Sequence, residues 1–232
     1  MNRLSTAPRL LAALALLAAL SPLRARAAAA AYSVRLPREG LIVDVPYSMG
    51  THHEHVTAVD GTLRIDPEAL RVERGRLVIP LAAFRSDDPK RGCHLREALG
   101  LDYTRARYPR DHVCDAQNHL PTSGPDAIAF PDIVVELSRG GPVAGATGEI
   151  EAEGVLTVHG SSRPIRLHLA VSRDASLPGT LRVRGRLPLH LADFGVQVKP
   201  AKVLFVSITV GDEISVAVDA LLEPARQGSE VR

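Results

Sequence analysis

The sequence predicts an all-β fold, an antiparallel barrel or sandwich, with one short helix set into it. Three observations carry this. From Tyr32 to Ala220, apolar residues recur at every second position in short runs. Turn residues separate those runs at hairpin spacing. One stretch, Arg91–Cys114, breaks the pattern with helical spacing and holds both cysteines of the 232-residue chain.

The strands follow in order. Val34 and Leu36 alternate with Ser33 and Arg35. Leu63 and Ile65 alternate with Arg64 and Asp66, and Asp66-Pro67 stops that run. Leu77, Ile79 and Leu81 lead to Phe84. Ser86-Asp87-Asp88-Pro89 then opens a helix, because Asp87 or Asp88 can cap it and Pro89 suits its first turn. Leu95 and Leu99 give the helix one apolar stripe, and Gly100 is its expected stop. Arg110–Pro125 is turn-rich and reads as a surface excursion. Strands resume over Ala127–Leu137 and Gly148–Val158, and Gly160-Ser161-Ser162 turns the chain into Ile165–Val171. Leu181, Val183, Leu187 and Leu189 form the next strand. Val206–Val210, Gly211-Asp212 and Ile214–Ala220 read as a closing hairpin. The tail from Pro224 is polar. Eight or more strands are thus expected, and closing them into a barrel removes exposed edges.

The first 31 residues read as a cleaved secretory signal: basic Met1–Arg9, apolar Leu10–Leu20, then small residues to Ala31. Eleven apolar residues are too few to span a bilayer, which takes about 20. The expected organisation is a signal over 1–31, one barrel domain over 32–223 and a tail over 224–232. Loss of Arg3, Arg9, Arg24 and Arg26 leaves 24 basic against 26 acidic residues, a net charge of −2. That balance gives no electrostatic reason to expect nucleic acid as a partner. The expected location is periplasmic or extracellular, with no stable membrane anchor after cleavage and with a homodimer compatible with the sequence.

In an exported chain, Cys93 and Cys114 read first as a disulfide closing a loop of about 20 residues, worth roughly 3 kcal/mol. A metal site with His94 and His112, or two free thiols, are the alternatives. Thr51-His52-His53-Glu54-His55 is the other metal candidate. In a strand, His53 and His55 share one face, and His52 and Glu54 share the other. His53 and His55 would be two ligands of a metal; the bland alternative is a solvated strand edge. His159, His168 and His190 are placed on the surface. G-x-S-x-G, H-E-x-x-H and glycine-rich phosphate loops are missing from the sequence, so no catalytic residues are assigned, no enzyme activity is read and no cofactor is expected.

Four stretches resemble the YceI-like family, also called polyisoprenoid-binding or lipocalin-like. They are Gly61–Pro67, then His94-Leu95-Arg96 followed by Tyr108-Pro109, then Gly154–Gly160, then Asp193-Phe194-Gly195 with the hydrophobic run after it. The resemblance implies an extended eight-stranded antiparallel lipocalin-like β-barrel with one short helix capping one end. It also implies an elongated apolar cavity for an isoprenoid or similar amphiphile, and no agreed catalytic residues. The sequence departs from the family pattern at Gly92, where Asp is common, at both cysteines, in Arg110–Pro125 and in the His-rich run. Phe84, Leu95, Leu99, Phe130, Phe194 and Phe205 are the expected cavity or mouth residues. The first functional reading is a non-catalytic lipid carrier. The alternatives are a metal- or haem-associated redox or stress protein using His52–His55, or a filled structural module.

Overall fold

The computed structural model describes residues 29–106, 119–198, 200–203 and 206–225. Its strands are β1 (Ala30–Arg35), β2 (Leu41–Tyr47), β3 (Gly50–Val56), β4 (Asp60–Asp66), β5 (Arg71–Pro80), β6 (Phe84–Ser86), β7 (Asp132–Pro142), β8 (Glu149–Val158), β9 (Ser161–Arg173), β10 (Leu181–His190), β11 (Ala201–Val203), β12 (Val206–Ile208) and β13 (Glu213–Pro224). The helix α1 covers Pro89–Gly100.

The period-two pattern produces an antiparallel ring in the order β1-β4-β5-β7-β8-β9-β10-β13, closed by the pairing of β13 with β1. This is the closed eight-stranded barrel, and closure leaves none of the eight with an open edge along its full course. Three neighbouring walls are built in two pieces. β1 continues as β2 beyond the turn at Pro37–Gly40, β3 continues as β4 beyond Thr57–Val59, and β5 continues as β6 beyond a 3₁₀ turn at Leu81–Ala83. Hence β13 pairs with β1 at one end and with β2 at the other, while β2 pairs with β3 and β3 with β6.

The expected closing hairpin is corrected. Val206–Ile208 pairs with Ala201–Val203, not with β13. Both edges of β13 are already taken, one by β10 and the other by β1 and β2. The 206–208 run has no free ladder there, so it folds into a small two-stranded sheet of its own.

Aliphatic side chains point inward and make two clusters. One gathers at the α1 end around Phe84, Leu95, Leu99, Leu191 and Phe194. The other gathers at the far end around Tyr32, Leu63, Val72, Leu181 and Leu222. Val135 packs against both. Many inward residues between them, among them Leu77, Ile79, Ile133, Leu167 and Leu169, are only half-buried although they face the interior. Their remaining exposure is to a hollow centre.

A candidate site: the apolar cavity and its helical cap

The hollow is an apolar cavity of about 210 Å³. Every described residue that lines it is Ala, Val, Leu, Ile or Phe. Two inward positions at mid-barrel carry no side chain: a Cβ on Gly75 would lie 2.1 Å from Leu63 Cδ2, and one on Gly185 2.6 Å from Leu169 Cδ2. Those glycines let the leucines of neighbouring strands lie against the wall, which keeps the cavity continuous from one cluster to the other. The cavity-lining residues of β13 run from Ile214 to Leu222, about 27 Å of strand at ~3.4 Å per residue. At a ~35–45° tilt that is about 20 Å along the barrel axis. With no polar partner inside, such a space suits hydrocarbon and not water. Left empty, it costs on the order of 5 kcal/mol at ~24 cal/mol per Å³.

Of the residues expected at the cavity, Phe84, Leu95, Leu99 and Phe194 line it. Phe130 does not; its ring lies 4.6 Å from that of His159 outside the barrel end. Phe205 falls outside the described residues, as do Tyr108, His112 and Cys114.

Leu95 and Leu99 reach the cavity because α1 is fixed at both ends. Asp88 caps the N-terminus, its Oδ1 accepting from Lys90 N at 3.0 Å and Arg91 N at 3.3 Å. A helix leaves its last four carbonyls unpaired, and here each has a donor. Leu101 N donates to Glu97 O, Tyr103 Oη to Ala98 O, His159 Nδ1 to Leu99 O, and Ala129 and Phe130 N to Gly100 O. The surface placement expected for His159 is therefore corrected. It sits at φ 50° in the β8–β9 turn, stacks on Tyr103 at 4.5 Å and binds the helix end. Burial pushes the Tyr103 phenol up to about 12.

The His-rich run lies on β3, with His53 and His55 on one face and His52 and Glu54 on the other. His53 Nδ1 meets Asp44 Oδ1 at 2.8 Å, and Asp44 also receives Arg186 at 3.3 Å. His52 Nε2 lies 2.8 Å from Glu54 Oε1 and 3.1 Å from Ser86 Oγ. This is no nucleophile–base pair, because the Ser86 hydroxyl donates to Asp88 O at 2.9 Å. Among the described residues, no three His, Cys, Asp or Glu side chains converge to hold a metal ion.

Glu54 is fully buried under α1, and its Oε2 has no hydrogen-bond partner among the described residues. Its charge interacts with that of Arg96, which is itself buried and donates to Phe84 O at 3.3 Å. Gly92 permits this close approach, since a Cβ there would lie 2.9 Å from Ser86 Cβ and 3.1 Å from Glu54 Oε1. Cys93 is buried on α1 with Sγ 3.4 Å from Glu97 Oε1, and no described cysteine is free. A second, more polar groove of about 770 Å³ lies beside α1, with Arg85, Arg96, Pro121 and Asp132 in its wall and Phe84 shared with the cavity.

A closed eight-stranded antiparallel barrel with an apolar bore and a helical cap defines a lipocalin-like class of protein. The YceI-like domain model matches residues 44–222, and the chain belongs to the YceI-like family. Three solved structures share the fold. BcnA of Burkholderia cenocepacia has a TM-score of 0.52 at 17% identity, covering 78% of this chain and 95% of its own. A polyisoprenoid binding domain from Saccharophagus degradans, described as implicated in plant cell wall breakdown, has a TM-score of 0.54 at 16% identity, covering 84% and 99%. A YceI protein of Campylobacter jejuni has a TM-score of 0.50 at 13% identity, covering 72% and 82%. No curated protein sequence matches the chain.

Proposed function

We propose that this protein is a non-catalytic carrier that holds the hydrocarbon chain of an isoprenoid or similar amphiphile inside the barrel. The single observation behind the reading is the all-apolar lining of a continuous cavity about 20 Å long. Family membership and the polyisoprenoid binding domain of similar fold support it. Burial of the chain at ~25 cal/mol per Å² supplies the affinity without any specific polar contact in the bore.

The reading includes export by the N-terminal leader to the periplasm or medium, and a Cys93–Cys114 bridge formed there. β1 begins at Ala30, and Ala30 and Ala31 pair with Ile65 and Arg64. Cleavage after Ala29 would leave that ladder whole, and N-terminal sequencing of the exported protein reads the site directly. Titration of delipidated protein with geranylgeraniol tests the carrier reading. Saturable binding at one chain per barrel is expected; no binding to any prenyl chain would overturn it.

A further inference from the structure

Among the described residues, the two ends of the cavity are closed very differently. At the α1 end, a helix with every terminal carbonyl bonded, a 3₁₀ turn at Leu191–Phe194 and Phe84 all press on the bore. At the far end, the one described residue outside the strands that lines the cavity is Leu70, in the turn between β4 and β5. Leu70 holds φ at 49°, a left-handed conformation that costs a branched L-residue on the order of 1 kcal/mol. Such strain persists only where the surroundings fix it.

A solvent-exposed ion pair crosses the mouth beside it. In the ring order, β9 and β4 are four strands apart, on opposite walls. Arg173, the last residue of β9, occupies the inward face two positions beyond cavity-lining Val171. Its guanidinium donates to Glu68 Oε1 at 2.8 Å and to Pro67 O at 3.4 Å, both in the turn that carries Leu70. Asp66 Oδ1 braces that turn by accepting from Glu68 N and Ala69 N at 3.0 Å.

Beside this clasp lies Tyr32, an inward residue of β1 that is 3% exposed and feels the charges of both Arg173 and Glu68. Its hydroxyl forms no hydrogen bond among the described residues. A wholly apolar bore excludes a charged or strongly polar head, so the head of a bound amphiphile must stay at an end. Among the described residues, the far end sets a cation, Arg173, and a hydroxyl without a hydrogen bond, that of Tyr32, on inward strand positions next to the cavity.

We propose that the mouth opposite α1 is the portal of the cavity and the seat of an anionic lipid head, a phosphate or carboxylate, which takes Arg173 from Glu68 and accepts from Tyr32. This rests on the carrier reading above. Breaking the Arg173–Glu68 pair frees the Leu70 turn, and the head re-forms the clasp behind the inserted chain.

The test compares geranylgeranyl monophosphate with the hydrocarbon of the same chain that lacks the phosphate. Arg173→Gln should weaken the phosphate ligand about tenfold or more, and Tyr32→Phe by a few-fold, as expected for hydrogen bonds to a charged group. Both variants should leave the hydrocarbon within about twofold of the wild-type affinity. Glu68→Gln should tighten the phosphate ligand by removing the competing carboxylate. Wild-type binding of both ligands with no selective change in any variant overturns the portal while sparing the carrier. Binding of inorganic phosphate alone as tightly as the lipid would also overturn it, as a free-anion site. Wild-type binding of neither ligand removes the carrier reading and the portal with it.

Discussion

His159 Nδ1 lies 3.2 Å from Leu99 O, so the tip of the β8–β9 hairpin holds the end of α1. The carbonyl can only accept, which places the proton of the neutral ring on Nδ1. This contact, 60 residues long in sequence, fixes the helix that floors the cavity. His159→Asn tests it, because Asn tolerates the left-handed backbone at this position. Loss of the hydrogen bond and of the stack on Tyr103 should cost about 1–2 kcal/mol. Hydrogen exchange should show α1 losing protection ahead of the strands; uniform loss would assign the histidine a merely global role.

Tyr103 gives the same lock a pH signature. Its phenol is raised from 10.0 to about 12 by burial. A raised folded-state value means that the fold favours the neutral phenol. The stabilisation is complete below pH 10 and is lost as pH rises between about 10 and 12. Ultraviolet titration of tyrosinate should show a late component that shrinks in Tyr103→Phe, what remains being Tyr32, whose phenol burial also raises. Ionisation of all four tyrosines at the ordinary value would contradict the burial.

Beneath α1, Glu54 and Arg96 should be strongly coupled. Arg96→Met leaves a fully buried carboxylate without its neighbouring cation and should cost about 3–5 kcal/mol. Glu54→Met combined with Arg96→Met should recover much of that, because two apolar side chains remove both desolvation penalties. Additive losses in the double-mutant cycle would show that the two charges act independently.

The proposed Cys93–Cys114 bridge predicts a local effect. Reduction, or Cys93→Ser, should release roughly 3 kcal/mol of constraint and loosen the segment from α1 onward before the barrel opens. Unchanged thermal unfolding with and without reductant would argue against a bridge.

The barrel was legible because its physics is local. Leu63/Ile65, Ile165–Val171 and Leu181–Leu189 alternate as half-buried strands must, and Asp88-Pro89 with Leu95 and Leu99 marks a capped helix. Pairing was less legible. Val206–Ile208 alternates as well as β13 does, and only the occupied edges of β13 exclude it from the barrel. At the site, apolar residues such as Leu95 and Phe194 could be read from composition and family pattern. Tyr103, His159 and Glu54 could not, since their roles depend on contacts that only the closed barrel makes. A histidine followed by glycine at a hairpin tip, with a tyrosine just past a helix, is the faint signal that could have found the lock. Arg173 and Glu68 meet 105 residues apart, and no local pattern marks that meeting.

The central claim is that the bore holds a lipid chain, and Val135, which touches both core clusters, is the place to block it. The decisive measurement is organic extraction and mass spectrometry of natively exported protein, wild type beside Val135→Trp. The wild type should release an isoprenoid or similar long-chain lipid near one per barrel, and the blocked variant little or none. A folded wild-type protein that yields no lipid, or a blocked variant that yields as much, would contradict the account.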